Sequence, residues 1–245
     1  MSCDANWGDH VPLLCFPHAG AGRLYYARWG ALFGDGISFE VVQYPERENR
    51  YKERMPATVQ QLATDIHAEY ARVFAGPYSI WGHSMGTVIG YEVAKLAQRL
   101  SGRAPLVFFS SGSAAPCESR FEAVPSLSSA LDFRKVLLRY GGVSPENMDN
   151  PDFMNYFAPI IKADLMLLGQ YQDVEFERLN CPLVLMEGRD DPVRLDSWPR
   201  YVARAPEVHL FDGGHFFLQE HSAELAALMS SRIQWAWQLA PTFKG

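Results

Sequence analysis

Ser84 stands in the pentapeptide Gly82-His83-Ser84-Met85-Gly86, a serine flanked two residues away on each side by glycine. The residues before it, Tyr78 to Trp81, are aromatic and β-branched enough for a short buried strand. After it, apolar residues fall at Val88, Ile89, Val93, Leu96 and Ala97, the spacing of an amphipathic helix. A strand that turns at once into a helix needs bare backbone on both sides of the corner, because a Cβ there would collide with the neighbouring chain. Gly-x-Ser-x-Gly alone is common. Between a strand and a helix it exposes the serine hydroxyl and aims the N–H groups and positive dipole end of the new helix at the same point. The chemistry that this pattern predicts is acyl transfer to Ser84.

A serine hydroxyl is a weak nucleophile, so it needs a histidine to take its proton and a carboxylate to orient that histidine. Of the seven histidines, His215 in HLFDGGHFFLQEH follows an apparent strand and two glycines, on a loop that can carry an imidazole to the serine. His83 lies inside the pentapeptide with its side chain directed away from the serine. His18 and His209 read as loop and strand residues, and His10, His67 and His221 as surface positions. With the chain order serine, acid, histidine, the acid comes from a strand end between Ser84 and His215. PLVLMEGRDDP supplies one, followed by Asp190 and Asp191. Either aspartate would serve; Asp191 is preferred because Pro192 fixes the backbone that follows it. An oxyanion site needs two donors, for which the N–H of Met85 and, in the bare turn of CFPHAGAG, the N–H of Ala19 are the candidates.

Strand-like runs that would hold these residues occur at Pro12 to Phe16, Ser38 to Tyr44, Tyr78 to Trp81, Leu106 to Ser110, Leu183 to Glu187 and Val208 to Phe211. Several are continuously apolar, as parallel strands buried on both faces are. Helical patterns lie between them, at Thr58 to Phe74, Thr87 to Leu100 and Ser222 to Trp237. This alternation predicts an α/β sheet covered by helices on both faces. The interval from Gly112 to Cys181 is several times longer than a crossover requires. Its apolar residues repeat with helical spacing at Leu127, Leu131 and Leu138, and again at Phe153, Phe157, Ile161, Leu165 and Leu168, with Pro159 expected to kink the second helix or start a turn. The interval is predicted to be a helical cap over the edge of the sheet where a ligand binds.

Composition narrows the function classes. The chain has 245 residues, 48% of them apolar, and a net charge of −6, so it has no basic excess to hold a nucleic acid. The N-terminus lacks the features of a secretory signal and no run is long enough to span a membrane, which makes the cytoplasm the expected location. Its four cysteines, Cys3, Cys15, Cys117 and Cys181, are dispersed without a CxxC pair and are expected to be reduced and mostly buried.

Taken in order, FPHAG, VQYPERENR, GHSMG, KADLMLLGQY, GRDDP and DGGHFFL resemble the type II thioesterases that accompany polyketide and nonribosomal peptide synthetases. The likeness runs from about Leu13 to Leu218. The departures are Ala21, where a second glycine is usual, and Glu46, where glycine is usual. The resemblance implies a single α/β-hydrolase domain over residues 1–245, with a lid inserted at about 113–175. It also implies hydrolysis of acyl groups from the phosphopantetheine thiol of carrier proteins, with Ser84 as nucleophile, His215 as base, Asp191 as acid, and Met85 and Ala19 as oxyanion donors. No metal or diffusible cofactor is required, and a monomer is expected. Phe153, Met154, Phe157 and Leu165 are candidates either to line an acyl chamber or to be the buried face of an ordinary helix, and Arg23, Arg28, Arg47 and Arg50 are candidates either to meet an acidic carrier surface or to be solvated. A small-molecule carboxylesterase and a non-catalytic binding protein of the same fold are the competing readings.

Overall fold

In the computed structural model, which describes residues 10–118 and 129–240, the six apolar runs are six strands of one sheet. They are β1 (Val11–Phe16), β2 (Ile37–Val41), β3 (Ser79–His83), β4 (Phe108–Ser111), β5 (Leu183–Gly188) and β6 (Glu207–Phe211). Their order is β2-β1-β3-β4-β5-β6, and every neighbouring pair is parallel. Parallel strands with crossover helices are buried on both faces, which is why consecutive residues of β1 enter two different cores. Leu14 and Phe16 join Ile80, Phe108, Leu183 and Leu185 on one face, whereas Leu13 and Cys15 join Trp81, Phe109, Val184 and Met186 on the other. Each such large apolar side chain contributes about 1.5–3 kcal/mol on burial.

The helices are α1 (Arg23–Tyr26), α2 (Val59–Glu69), α3 (Ala71–Phe74), α4 (Met85–Ser101), α5 (Ala130–Tyr140), α6 (Pro145–Asp149), α7 (Pro151–Gly169) and α8 (Ser222–Leu239). Several of their ends are written locally. The Thr58 hydroxyl accepts the Gln61 N–H at the start of α2, the Asn150 side chain accepts the N–H groups of Asp152 and Phe153 at the start of α7, and Gly141 closes α5 with φ +74°. The single helix expected over Thr58 to Phe74 is divided at Tyr70, whose carbonyl takes a tight bond from the Val73 N–H, 2.8 Å. Pro159 neither ends nor divides α7. It removes one N–H, and the apolar and polar contacts of Ile160, Ile161, Asp164, Leu167 and Leu168, all buried, hold the helix through that position. Helices α5 to α7 fill the interval between β4 and β5. Of the apolar pattern assigned to the first of them, Leu127 lies outside the described residues, and Leu131 and Leu138 are exposed. Phe133, Val136 and Leu137 form its buried side instead. Among the cysteines, Cys15 and Cys181 are buried and Cys117 is exposed, all three as free thiols, while Cys3 lies outside the described residues.

The strand order creates a crevice. From β1 the chain leaves to β2 on one side, and from β3 it leaves to β4 on the other, so the loops after β1 and β3 separate at their carboxyl ends. Cys15 pairs with Trp81 and Phe16 with Gly82, which places the turn containing Ala19 beside the corner containing Ser84.

Candidate active site

At the end of β3 the backbone makes the corner that the glycines predict. Ser84 has φ +54° and ψ −121°, a left-handed conformation that costs a non-glycine residue on the order of 1–3 kcal/mol. A Cβ on Gly82 would collide with the backbone of Thr87, and one on Gly86 with the carbonyl of Phe16. The two glycines therefore let α4 start against β1 and β3 without a gap. The Thr87 hydroxyl ties the corner shut by donating to the Gly82 carbonyl, 2.9 Å. From Gly76 to Lys95 every residue except Ser84 is buried. Met85, the first residue of α4, carries an N–H that has no intrahelical acceptor.

His215 reaches this corner by a different route. It follows β6, three strands away from β3, so its loop must travel back along the edge of the sheet. The crossing is possible because Gly188, at the end of β5, has no side chain: a Cβ there would collide with the backbone of Gly213 and Gly214. The loop is pinned as it crosses by the Asp190 N–H on the Gly213 carbonyl, 3.0 Å. Gly112, at φ +58°, does the same beyond β4, where an added Cβ would lie 3.2 Å from the His215 imidazole.

Nδ1 of His215 is 2.7 Å from Oδ2 of Asp191, with the side chains 7% and 1% exposed. Asp190, the alternative, is exposed. Ser84, Met85, Ala19 and His215 all line one cavity of about 810 Å³. The loop of Ala19 is held in shape by a turn in which the Ala21 N–H donates to the His18 carbonyl, 3.1 Å. In a trans peptide the Ala19 N–H lies on the opposite edge of that same amide plane, so fixing the carbonyl fixes the N–H.

Sequence reasoning passed over several residues here. His18 and His83 are buried beside His215. The His18 and His83 ring centroids are 5.6 Å apart, and those of His83 and His215 are 5.2 Å apart. His18 shares a hydrogen bond of 2.8 Å with the Tyr26 hydroxyl, and His83 Nδ1 lies 3.1 Å from the Ser111 carbonyl. Burial first, and then the positive charge available at His215 and Arg47, pushes His18 down to about 3; burial and the two neighbouring imidazoles likewise lower His83. Both rings are therefore neutral packing around His215. Glu187 is buried at the end of β5, where its Oε1 accepts the Ser113 N–H at 3.2 Å; burial, with Asp191 nearby, raises its carboxyl well above the ordinary range. No short-range pattern marks these residues, because each acquires its surroundings from other strands.

The cap supplies the far wall. Tyr140 of α5 sets its ring edge against His215, centroids 5.1 Å apart, and Phe153, Phe157 and Leu165 of α7 line the cavity, whereas Met154 is not among the lining residues. One surface candidate is corrected. Arg47 is buried, 2% exposed, and bonded to Asp164, because burial of a guanidinium is tolerated only with a matched carboxylate. Arg50 is held by Glu53 and Glu69, Arg23 bonds to the Val41 carbonyl, and Arg28 is exposed. Glu46, standing where glycine is usual, takes φ +64°, and its carboxylate accepts the Met55 N–H at 3.2 Å. No helix among the described residues is long and apolar enough to cross a membrane.

A parallel sheet with a serine at a strained strand-to-helix corner and an imidazole paired with a carboxylate at the same edge defines an α/β-hydrolase fold. The chain belongs to the thioesterase domain family, whose model matches residues 11–233, and it is a thioester hydrolase. It is 26% identical over 242 residues to the gramicidin S biosynthesis protein GrsT of Aneurinibacillus migulanus, covering 96% of this chain and 93% of that protein. It is similar to the crystal structure of ClbQ from the colibactin nonribosomal peptide and polyketide pathway, with a TM-score of 0.86 at 24% identity over 94% of this chain and 100% of that one. RedJ, a thioesterase of the prodiginine pathway in Streptomyces coelicolor, is 27% identical with a TM-score of 0.83, covering 91% of this chain and 90% of its own. The resemblance to type II thioesterases drawn from the sequence motifs is borne out by these matches.

Proposed function

We propose that this protein hydrolyses acyl thioesters carried on the phosphopantetheine arm of acyl or peptidyl carrier proteins, removing stalled or aberrant acyl groups during polyketide or nonribosomal peptide synthesis. The observation that carries this reading is the meeting of Ser84 and His215 on one cavity, with His215 on Asp191 at 2.7 Å, in a chain similar to a gramicidin S biosynthesis protein and to a thioesterase of the prodiginine pathway. The Ser84 Oγ attacks the thioester carbonyl as His215 takes its proton, and the charge developing on the carbonyl oxygen falls to the N–H groups of Met85 and Ala19. The C–S bond breaks without demanding strong acid catalysis, and the leaving thiolate takes the proton from His215 and departs as the thiol, which leaves the ester on Ser84 and a neutral His215. Water then attacks that ester, giving its proton to His215, and Ser84 recovers a proton as the free acid departs. Helices α5 to α7 serve as the lid of a single hydrolase domain, with residues 113–175 as the insertion, over a chamber whose aromatic and aliphatic wall suits an acyl chain. The cytoplasm, where carrier proteins are loaded, is the compartment this reading requires.

The test compares one acyl group on a carrier protein and on N-acetylcysteamine. kcat/KM is expected to be at least tenfold higher on the carrier; equal values would remove the carrier from the reading, and faster turnover of the matching oxygen ester would favour a carboxylesterase. A fluorophosphonate should label the wild-type chain and not Ser84→Ala. Failure to label the wild type would return the chain to a binding role.

A further inference from the structure

Arg47 and Asp164, 117 residues apart, form a buried pair that holds more than one another. Arg47 Nη2 donates to Oδ1 of Asp164 at 2.6 Å and Nη1 to Oδ2 at 2.8 Å, with side-chain exposures of 2% and 0%. Oδ2 also accepts the backbone N–H of Gly20, 2.7 Å, and Nη1 also donates to the Ala21 carbonyl, 2.9 Å. Tyr44, whose ring lies under the Arg47 guanidinium, donates its hydroxyl to the Pro17 carbonyl, 3.2 Å. The loop that carries Ala19 is thus gripped at residues 17, 20 and 21 by side chains from elsewhere. Asp164 belongs to α7, the helix that lines the cavity, and Ile161 of the same helix packs so tightly on Gly20 that a Cβ there would overlap its side chain.

This clamp serves geometry more than stability. A buried ion pair gains little over apolar residues of the same volume, whereas its planar fork fixes direction. Two left-handed residues, Glu46 at φ +64° and Glu48 at φ +47°, also flank Arg47. Strain of this kind persists only where the surroundings over-determine it.

We propose that Asp164, together with Arg47, is a positioning residue for hydrolysis: it locks the loop of residues 18–21, and with it the Ala19 N–H, to helix α7, so that the oxyanion site is complete only while the lid helix is seated. This rests on the role given to Ala19 above. It makes α7 both the wall of the acyl chamber and a brace for the donor opposite Met85. Displacement of the helix by an ill-fitting acyl group pulls on Gly20, one residue from that donor.

The experiment measures kcat and KM on octanoyl-N-acetylcysteamine for the wild type, Arg47→Lys and the paired variant Arg47→Met/Asp164→Leu, with Tm for each. The paired variant leaves no buried charge without its counter-ion, so it is expected to fold, with a Tm below that of the wild type because the Gly20 N–H and the Ala21 carbonyl lose their partners. Its kcat should nonetheless fall about 10- to 100-fold with KM within threefold, the loss expected of a displaced oxyanion donor. Arg47→Lys keeps a charge for Asp164 but loses the fork, and a smaller fall in kcat, about tenfold, is expected. A folded paired variant with kcat within twofold of the wild type would overturn the proposal. Amide hydrogen exchange of the unaltered protein supplies a readout that needs no variant: the Gly20 N–H should be protected and should open together with the amides of α7 around Asp164. Fast exchange at Gly20 overturns the clamp even if the enzyme hydrolyses thioesters. A wild type inert on thioesters sinks the functional reading while leaving the exchange result to judge the clamp.

Discussion

Substituting Asp191 by asparagine separates a charge from a shape. Asparagine fills the same space, and the site at 1% exposure gives it no room to turn to solvent, so the fold should be retained. Under the proposed mechanism, in which His215 is the base, what changes is the proton on His215. The carboxylate accepts from Nδ1, which leaves the lone pair of Nε2 free for the serine proton. An asparagine amide at 2.7 Å donates to Nδ1 instead, which puts the ring proton on Nε2 and removes the base. The charge-assisted bond itself contributes roughly 1.5–3 kcal/mol. Reversal of the tautomer in a serine hydrolase lowers kcat by up to about 10⁴, near 5.5 kcal/mol. Because the C–S bond breaks without strong acid catalysis, only the base role is lost, and the expected fall is about 10³. The assay is steady-state release of thiol from octanoyl-N-acetylcysteamine at pH 7, with KM unchanged. Asp190→Asn, at an exposed position, is the control and should stay within threefold of the wild type. A greater loss from Asp190→Asn than from Asp191→Asn, or more than a tenth of wild-type kcat surviving in Asp191→Asn, would refute the reasoning.

Two other perturbations have worked directions. Gly86→Ala drives a Cβ into the Phe16 carbonyl and should cost about 3 kcal/mol in urea denaturation, by overpacking that backbone cannot relieve; wild-type stability would mean that β1 and α4 do not meet as described. His18, held down to about 3 against an ordinary value of 6.5, stays neutral in the folded chain but takes a proton when unfolded. Below about pH 6.5 the unfolded state therefore binds the extra proton, and stability falls as the pH drops toward 3, by about 2 kcal/mol between pH 7 and 5 at this site. His18→Gln should flatten that slope in denaturation curves taken at the two pH values, and an unaltered slope would place the acid sensitivity elsewhere.

Much of the frame was legible because it is written in local sterics. The six strands fall within a few residues of the apolar runs, and the corner at Ser84 follows from Gly82 and Gly86, whose missing side chains leave room for Thr87 and Phe16. Propensity reads less well where distant packing intervenes. Pro159 sits inside an undivided α7, whose residues beyond it are buried against other elements, and Tyr70 divides a run that looked continuous. Arg47 reads as a surface cation because its actual counter-charge, Asp164, lies 117 residues away while Glu46 and Glu48 beside it do not pair with it in the fold's interior.

Residue types and short-range geometry set the kind of chemistry available, a serine at a strand-to-helix corner with a histidine and a carboxylate further along. Which of these groups meet is set by packing between elements remote along the chain. The return of the His215 loop across the bare backbone of Gly188 sets the imidazole on Asp191 and leaves Asp190 in solvent, a choice that neighbouring identical side chains cannot express. The burial of His18, His83, Glu187, Arg47 and Asp164 likewise arises from elements remote along the chain. Burial is what lowers His18 and His83 and raises the Glu187 carboxyl, because desolvation is a property of the folded molecule alone.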